Sequence, residues 1–119
     1  MERLIKAFHN SVRAFRSLVR TEAAFQQEMA LLVLSLPVGW FLSTNWRGYA
    51  LLVGSLLLLL IVEVLNTGIE ATCDAVRREF DVDIQLAKDC GSLAVLMTSL
   101  LAGGVWVLAL IDVFAGLEF

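Results

Sequence analysis

The chain has 119 residues, of which 59% are hydrophobic, with a mean hydropathy of +0.80 and a single proline. This length predicts one small domain over residues 1–119, and the apolar content excludes an ordinary water-soluble domain and indicates a membrane protein. The formal net charge of -3 is small and gives no support to nucleic-acid binding.

The N-terminal segment combines positive charge with an apolar stripe. Its basic residues are Arg3, Lys6, Arg13, Arg16 and Arg20. On a helix they lie opposite an apolar arc of about 140°. That arc is formed by Leu4, Ile5, Phe8, Val12, Phe15, Leu18 and Val19. The pattern predicts an amphipathic helix in the membrane interface over about residues 2–20, and it lacks the features of a signal peptide.

Three later windows are apolar enough to enter a membrane, namely 29–43, 49–65 and 93–111. A spanning helix needs roughly 20 mostly apolar residues. The first window is short and contains Pro37, so we expect it to borrow flanking residues or to kink. We predict three transmembrane helices, over about residues 26–45, 48–66 and 92–112.

The charges of the loops predict an orientation. Nearly all positive charge lies in the N-terminal segment and in residues 66–92, whereas the loop between the first two spans has only Arg47. By the positive-inside rule, the N-terminus and the long loop are cytoplasmic and the C-terminus lies outside. The sequence therefore predicts a multi-pass protein of the cytoplasmic membrane.

A polar stripe follows the second predicted span. Glu63, Asn66, Glu70 and Asp74 project from a helix at about 0°, 300°, 340° and 20°, and so share one face. Counted from Tyr49, Glu63 lies about 21 Å and Asp74 about 37 Å along the helix, against a hydrocarbon thickness of ~30 Å. Carboxylates at this depth are costly and typically functional. Their mutual repulsion suggests that Mg²⁺ or basic groups lie among them.

More polar residues precede the first and third spans, at the same membrane boundary. They are Glu22, Glu28, Lys88, Asp89 and Ser92. Three spans of one chain can scarcely shield such a site from lipid, so we infer that chains associate. The sequence contains no Walker A, GxGxxG or DFG motif. Any phosphate chemistry must therefore use carboxylate-held metal and Lys88.

Three blocks of the sequence carry a resemblance to a known family. They read E-A-A-F-x-Q-E at 22–28, E-V-L-N-T-G-I-E-A-T-C-D at 63–74 and A-K-D-x-G-S at 87–92. In this order and spacing, the chain resembles the prokaryotic diacylglycerol kinase family of small membrane lipid kinases. The resemblance implies an all-α homotrimer in the bacterial inner membrane, with three-span protomers and active sites shared between subunits. It also implies transfer of the γ-phosphoryl group of MgATP to diacylglycerol, giving phosphatidic acid.

The resemblance further implies roles for individual residues. Glu63 looks like the general base on the lipid hydroxyl, and Glu22 and Glu70 look like ligands of the ATP-bound Mg²⁺. The implied nucleotide-site residues are Arg3, Glu22, Glu28, Asn66, Glu70, Asp74, Lys88 and Asp89. The implied residues on the lipid side are Ser11, Glu63 and Ser92. The basic N-terminal helix would favour anionic lipids around the site.

Two other functions compete with this interpretation. One is phosphorylation of undecaprenol, a sister activity in the same family. The Gly91-Ser92 pair favours the diacylglycerol type over this activity. The other is a non-enzymatic oligomeric channel or scaffold that uses Glu63 and Glu70 to relay protons or bind a cation.

The chain also departs from the family pattern. It has Glu79-Phe80-Asp81-Val82-Asp83-Ile84 where E-Y-H-x-L-S is usual, and Gln26 where an Arg is common. We expect these changes to affect nucleotide affinity and loop conformation more than the chemistry.

Overall fold

The computed structural model describes all 119 residues, as four α-helices. In chain order, α1 comprises Glu2–Thr21, α2 Ala23–Leu42, α3 Trp46–Val76 and α4 Val82–Phe114. The last three helices are each long and apolar enough to cross a membrane. The prediction of an all-helical protein with three candidate spans is confirmed.

The first candidate span gains its length from residues before its apolar window. α2 begins at Ala23, continues through Pro37 and ends at Leu42, which makes 20 residues. It is tied to α3 where the hydroxyl of Tyr49 donates a 3.0 Å hydrogen bond to the carbonyl oxygen of Leu36. The helix of the first apolar window thus has the length that a span needs.

A sharp corner joins α1 to α2. Only Glu22 separates the two helices, and its backbone is extended. The side-chain amide of Gln26 donates to the carbonyl oxygen of Val19 at 2.7 Å. The rings of Phe15 and Phe25 also meet edge to face across the corner, with centroids 5.8 Å apart. Gln26, which replaces a common Arg of the family pattern, thus helps to hold the corner.

The helix packing leaves much apolar surface uncovered. α3 packs against both α2 and α4, whereas α2 and α4 touch each other little. The indole N–H of Trp106 on α4 donates to the carbonyl oxygen of Leu52 on α3 at 3.0 Å. Many large apolar side chains of α2, α3 and α4 remain exposed in the single chain. Surface of this kind is stable only against lipid or other protein chains.

The two ends of the bundle carry different elements. The hydroxyl of Thr44 lies 3.4 Å from the carbonyl oxygen of Phe119, so the α2–α3 loop and the C-terminus share one end. Because consecutive long helices run antiparallel, the α1–α2 corner and the loop 77–81 share the other end. The polar stripe of α3 approaches this second end.

Asp81 starts α4, and this explains part of the departure from the family pattern. One carboxylate oxygen of Asp81 accepts hydrogen bonds from the backbone amides of Asp83 (2.9 Å) and Ile84 (3.2 Å). The other oxygen pairs with Arg77 at 3.2 Å. Amide groups in the first turn of a helix have no partner within the helix, and a side-chain cap satisfies them. The changed loop sequence therefore supplies its own helix cap.

The cap gives a stability prediction. Asp81→Ala is expected to cost about 0.5–2 kcal/mol of unfolding free energy, because two first-turn amides lose their acceptor. Asp81→Asn keeps an accepting oxygen and removes only an exposed ion pair, which is worth little, so it should resemble the parent. Thermal unfolding in detergent compares the variants. Equal stability of Asp81→Ala and the parent would count against the cap.

Candidate active site

The predicted stripe is continuous in the structure and graded in burial. Glu63 is 6% exposed and Asn66 is 8% exposed. Glu70, one turn further along α3, is half-buried, and Asp74 at the end of the helix is exposed. The helical period alone produces this shared face, because the residues lie three or four positions apart. The stripe thus leads from the packed middle of the bundle to its open end.

Asn66 links the stripe to α4. Its side-chain amide lies 3.3 Å from Oε1 of Glu70, to which it donates a hydrogen bond. Its carbonyl oxygen Oδ1 is buried without a hydrogen-bond partner. That oxygen lies where a side chain at Gly91 of α4 would begin, so a Cβ added at Gly91 would overlap it. The position of the Asn66 carboxamide therefore depends on the absence of a side chain at Gly91.

Lys88 joins the exposed end of the stripe. Its ammonium group lies 2.8 Å from Oδ1 of Asp74. The hydrogen bond from Lys88 and its positive charge lower the pKa of Asp74 from its usual value, so this carboxylate remains charged at neutral pH. A cation and an anion are thus paired at the open end of the site.

Acidic residues from the α1–α2 corner approach the buried end. Glu22 and Glu70 lie close enough to Glu63 to interact with its charge, and so does Glu28 on α2. Oε2 of Glu28 is buried without a hydrogen-bond partner. Repulsion among four neighbouring carboxyl groups is relieved when a cation lies among them. The structure therefore assembles an acidic cluster from residues that are up to 48 positions apart in the sequence, Glu22 and Glu70.

The other predicted site residues make no side-chain hydrogen bond or ion pair with this cluster within the single chain. Arg3 lines a shallow hollow on α1 together with Glu2, Lys6 and Asn10. Ser11 is exposed. The remaining two, Asp89 and Ser92, are exposed on α4. Within one chain the structure thus brings together Glu22, Glu28, Glu63, Asn66 and Glu70, with Asp74 and Lys88 adjoining them.

Comparison with known proteins identifies the family. The family model for prokaryotic diacylglycerol kinase matches residues 9–110. The chain belongs to the prokaryotic diacylglycerol kinase family. The chain is 36% identical over 108 residues to the diacylglycerol kinase of Escherichia coli strain K12, covering 91% of this chain and 88% of that protein. It is 40% identical over 94 residues to the diacylglycerol kinase of Pseudomonas aeruginosa, covering 79% and 76%. The recognition from the three sequence blocks is confirmed.

Membership of the prokaryotic diacylglycerol kinase family identifies the chain as a membrane kinase, a class of enzyme that requires ATP and typically a metal ion. The structure contains no group of three or more Asp, Glu, His or Cys side chains placed to hold a metal ion by themselves. Mg²⁺ at a kinase site is commonly held by one or two carboxylates together with phosphate oxygens and water. Glu22 and Glu70, both near Glu63, fit that donor set.

Two contacts of this kinase site do not follow from the sequence pattern. The three sequence blocks include Gly91 but do not predict its contact with Asn66, because that contact depends on where α3 and α4 cross. The sequence also does not predict the pairing of Lys88 with Asp74, although it predicts both residues near the same membrane boundary. The sequence does contain a sign of the contact between Gly91 and Asn66, because Gly91 lies three positions from Lys88 and so on the same face of α4.

Proposed function

We propose that this chain transfers the γ-phosphoryl group of MgATP to the hydroxyl of diacylglycerol, giving phosphatidic acid and ADP. The single observation that carries the proposal is the graded stripe of α3, in which buried Glu63 is followed by half-buried Glu70 and by the exposed Asp74–Lys88 pair. A hydroxyl held in a lipid and a phosphate held in water need a site that spans such a gradient. The names of the curated relatives support the choice of substrate.

Glu63 is the proposed general base. Its carboxylate accepts the proton of the lipid hydroxyl as that oxygen bonds to the γ-phosphorus, while the bond from the γ-phosphorus to the bridging oxygen of ADP breaks. A base for this proton must reach the depth of the glycerol backbone, and Glu63 is the stripe residue that directly follows the apolar run of α3. Its position toward the membrane side of the stripe is therefore suited to a lipid acceptor.

The remaining polar residues are proposed to hold the nucleotide. Glu22 and Glu70 would hold Mg²⁺, which supplies charge neutralisation on the phosphates when it is bound. Lys88 would neutralise a phosphate oxygen and Asn66 would orient Glu70. The other proposed nucleotide contacts are Arg3, Glu28, Asp74 and Asp89. Ser11 and Ser92 are proposed to lie at the lipid edge of the site. Phosphoryl transfer depends mainly on positioning and charge stabilisation, so this set is chemically sufficient.

The proposal includes an assembly and an orientation. We propose a homotrimer in the bacterial inner membrane whose subunits share their active sites, because the single chain leaves many large apolar side chains exposed and Glu22, Glu28 and Glu70 only partly buried. α1 would lie along the cytoplasmic surface on anionic lipid, with its basic residues on the side opposite its apolar residues. The N-terminus would then be cytoplasmic and the C-terminus outside.

The lipid substrate is tested by competition. Purified protein receives MgATP and mixed micelles that contain equal amounts of dioleoylglycerol and undecaprenol. The proposal predicts phosphatidic acid as the main product. Polyprenyl phosphate as the main product would keep the phosphoryl-transfer site and overturn the diacylglycerol assignment.

The channel or scaffold alternative is tested at Lys88. Lys88→Ala is expected to lower the kinase rate by on the order of 10²-fold, because a charge that stabilises the transferred phosphoryl group is lost. Asp89→Ala should also lower the kinase rate. Arg47→Ala, which removes an exposed cation at the opposite end of the bundle, should keep the parent rate. Initial rates of lipid phosphorylation decide the question. A folded parent protein that phosphorylates no lipid would favour the non-enzymatic alternative, and parent rates in both Lys88→Ala and Asp89→Ala would remove these two residues from the proposed site.

A further inference from the structure

The crossing of α3 and α4 places Gly91 directly against Asn66. Gly91 is buried, and a Cβ at this position would overlap Oδ1 of Asn66, with Cγ of Asn66 only 3.1 Å away. The backbone of α3 is further off, since the Cα of Asn66 would be 3.8 Å from that Cβ. A side chain at 91 would therefore collide with the carboxamide of Asn66 and leave the helix backbones at an ordinary contact distance.

Four other glycines of these two helices do not share this property, whereas a Cβ at Gly48 of α3 would overlap the carbonyl oxygen of Phe119. Gly54 and Gly68 of α3, and Gly103 and Gly104 of α4, have no neighbouring atom within 4 Å of an added Cβ. Their lack of a side chain is not required by packing within the chain. Gly91 differs because its missing side chain leaves the space that the Asn66 carboxamide occupies.

The carboxamide of Asn66 is held by few other contacts. Its Oδ1 has no hydrogen-bond partner, and its amide donates to Glu70 at 3.3 Å. If the group rotated away from position 91, the hydrogen bond to Glu70 would be lost or lengthened. Glu70 is half-buried and would lose the neighbour that fixes its carboxylate.

We propose that Gly91 is a positioning residue, which directs the Asn66 carboxamide toward Glu70 by leaving the space that any side chain would fill. This inference rests on the proposed function, in which Glu70 holds Mg²⁺. Lys88, three residues earlier on α4, forms an ion pair with Asp74 of α3. This pair links the two helices beside the contact between Gly91 and Asn66. A methyl group at 91 thus moves the Asn66 side chain rather than the helix.

The first test is the Mg²⁺ dependence of Gly91→Ala. Partners that orient a metal ligand typically change metal affinity by about 10–100-fold. Gly91→Ala is therefore expected to need about 10–100-fold more Mg²⁺ for half-maximal rate, with a melting temperature close to that of the parent. Gly68→Ala, the same change at an open position of α3, should match the parent in both measurements. An unchanged Mg²⁺ dependence in Gly91→Ala overturns the proposal.

A double-mutant cycle tests whether the effect passes through Asn66. In an Asn66→Ala background no carboxamide remains to be displaced, so Gly91→Ala should cause little further change in Mg²⁺ dependence. A full additional loss in the double variant would show that Gly91 acts by another route and would overturn the proposal.

A spectroscopic readout separates this inference from the proposed function. The side-chain amide NMR signals of Asn66, assigned by their loss in Asn66→Ala, should shift in Gly91→Ala and stay in place in Gly68→Ala. Unmoved signals in Gly91→Ala overturn the inference, whatever the activity. A parent protein that phosphorylates neither lipid removes the proposed function, while shifted signals would still support the contact between Gly91 and Asn66.

Discussion

Glu63→Gln is expected to lower the turnover of lipid phosphorylation by at least about 10²–10⁴-fold, the usual contribution of a general base. Glutamine has nearly the same shape and can occupy the same buried position, but it cannot accept the proton of the lipid hydroxyl. The apparent affinity for ATP should change little, because Glu63 lies at the buried end of the stripe, away from the Asp74–Lys88 pair. Initial rates at varied ATP and saturating dioleoylglycerol measure both quantities.

The matched control for this variant removes a carboxylate elsewhere. Glu79 is exposed in the loop between α3 and α4, and Glu79→Gln should retain the parent rate. Thermal unfolding of each variant checks that the fold is intact. If folded Glu63→Gln turns over as fast as Glu79→Gln, Glu63 is not the base.

Glu70→Gln is expected to show a loss on the order of 10²–10³-fold at low Mg²⁺, comparable to removal of one preorganised group that stabilises transition-state charge. Part of the rate should return at high Mg²⁺, because the phosphates and Glu22 still offer ligands to the ion. A Mg²⁺ titration of the initial rate distinguishes this variant from Glu63→Gln, whose rate no concentration of Mg²⁺ should restore.

Glu63 and Glu70 are assigned different roles, one as the base and the other as a metal ligand. Both are glutamates on one face of α3, seven residues apart, and they differ in burial. A Glu70→Gln variant whose loss is the same at every Mg²⁺ concentration would contradict its role as a metal ligand. It would instead assign Glu70 to a step that does not depend on the ion.

Most of the fold could be predicted from the sequence because local rules determine it. Three apolar windows of near-spanning length predicted α2, α3 and α4. The ends of α3 and α4 were less predictable, since both helices continue well beyond the apolar windows to Val76 and back to Val82. Apolar content marks the membrane-embedded part of a helix, whereas caps such as Asp81 mark its ends.

The candidate site was predictable within one helix and less so between helices. The period of 3.6 residues was enough to place Glu63, Asn66, Glu70 and Asp74 on one face. The contact of Asn66 with Gly91 required the crossing point of α3 and α4, which no local pattern specifies. The distant residues Arg3 and Ser11 were implied by family resemblance alone, and their roles remain predictions.

The measurement that tests the central claim most directly is phosphoryl transfer by the purified protein itself. The protein, in detergent micelles with dioleoylglycerol, receives MgATP labelled in the γ-phosphate, and the lipid and nucleotide products are separated. The account predicts label in phosphatidic acid, with one ADP released for each lipid phosphorylated. A folded protein that leaves the lipid unlabelled, or that releases labelled phosphate to water in its place, would contradict it.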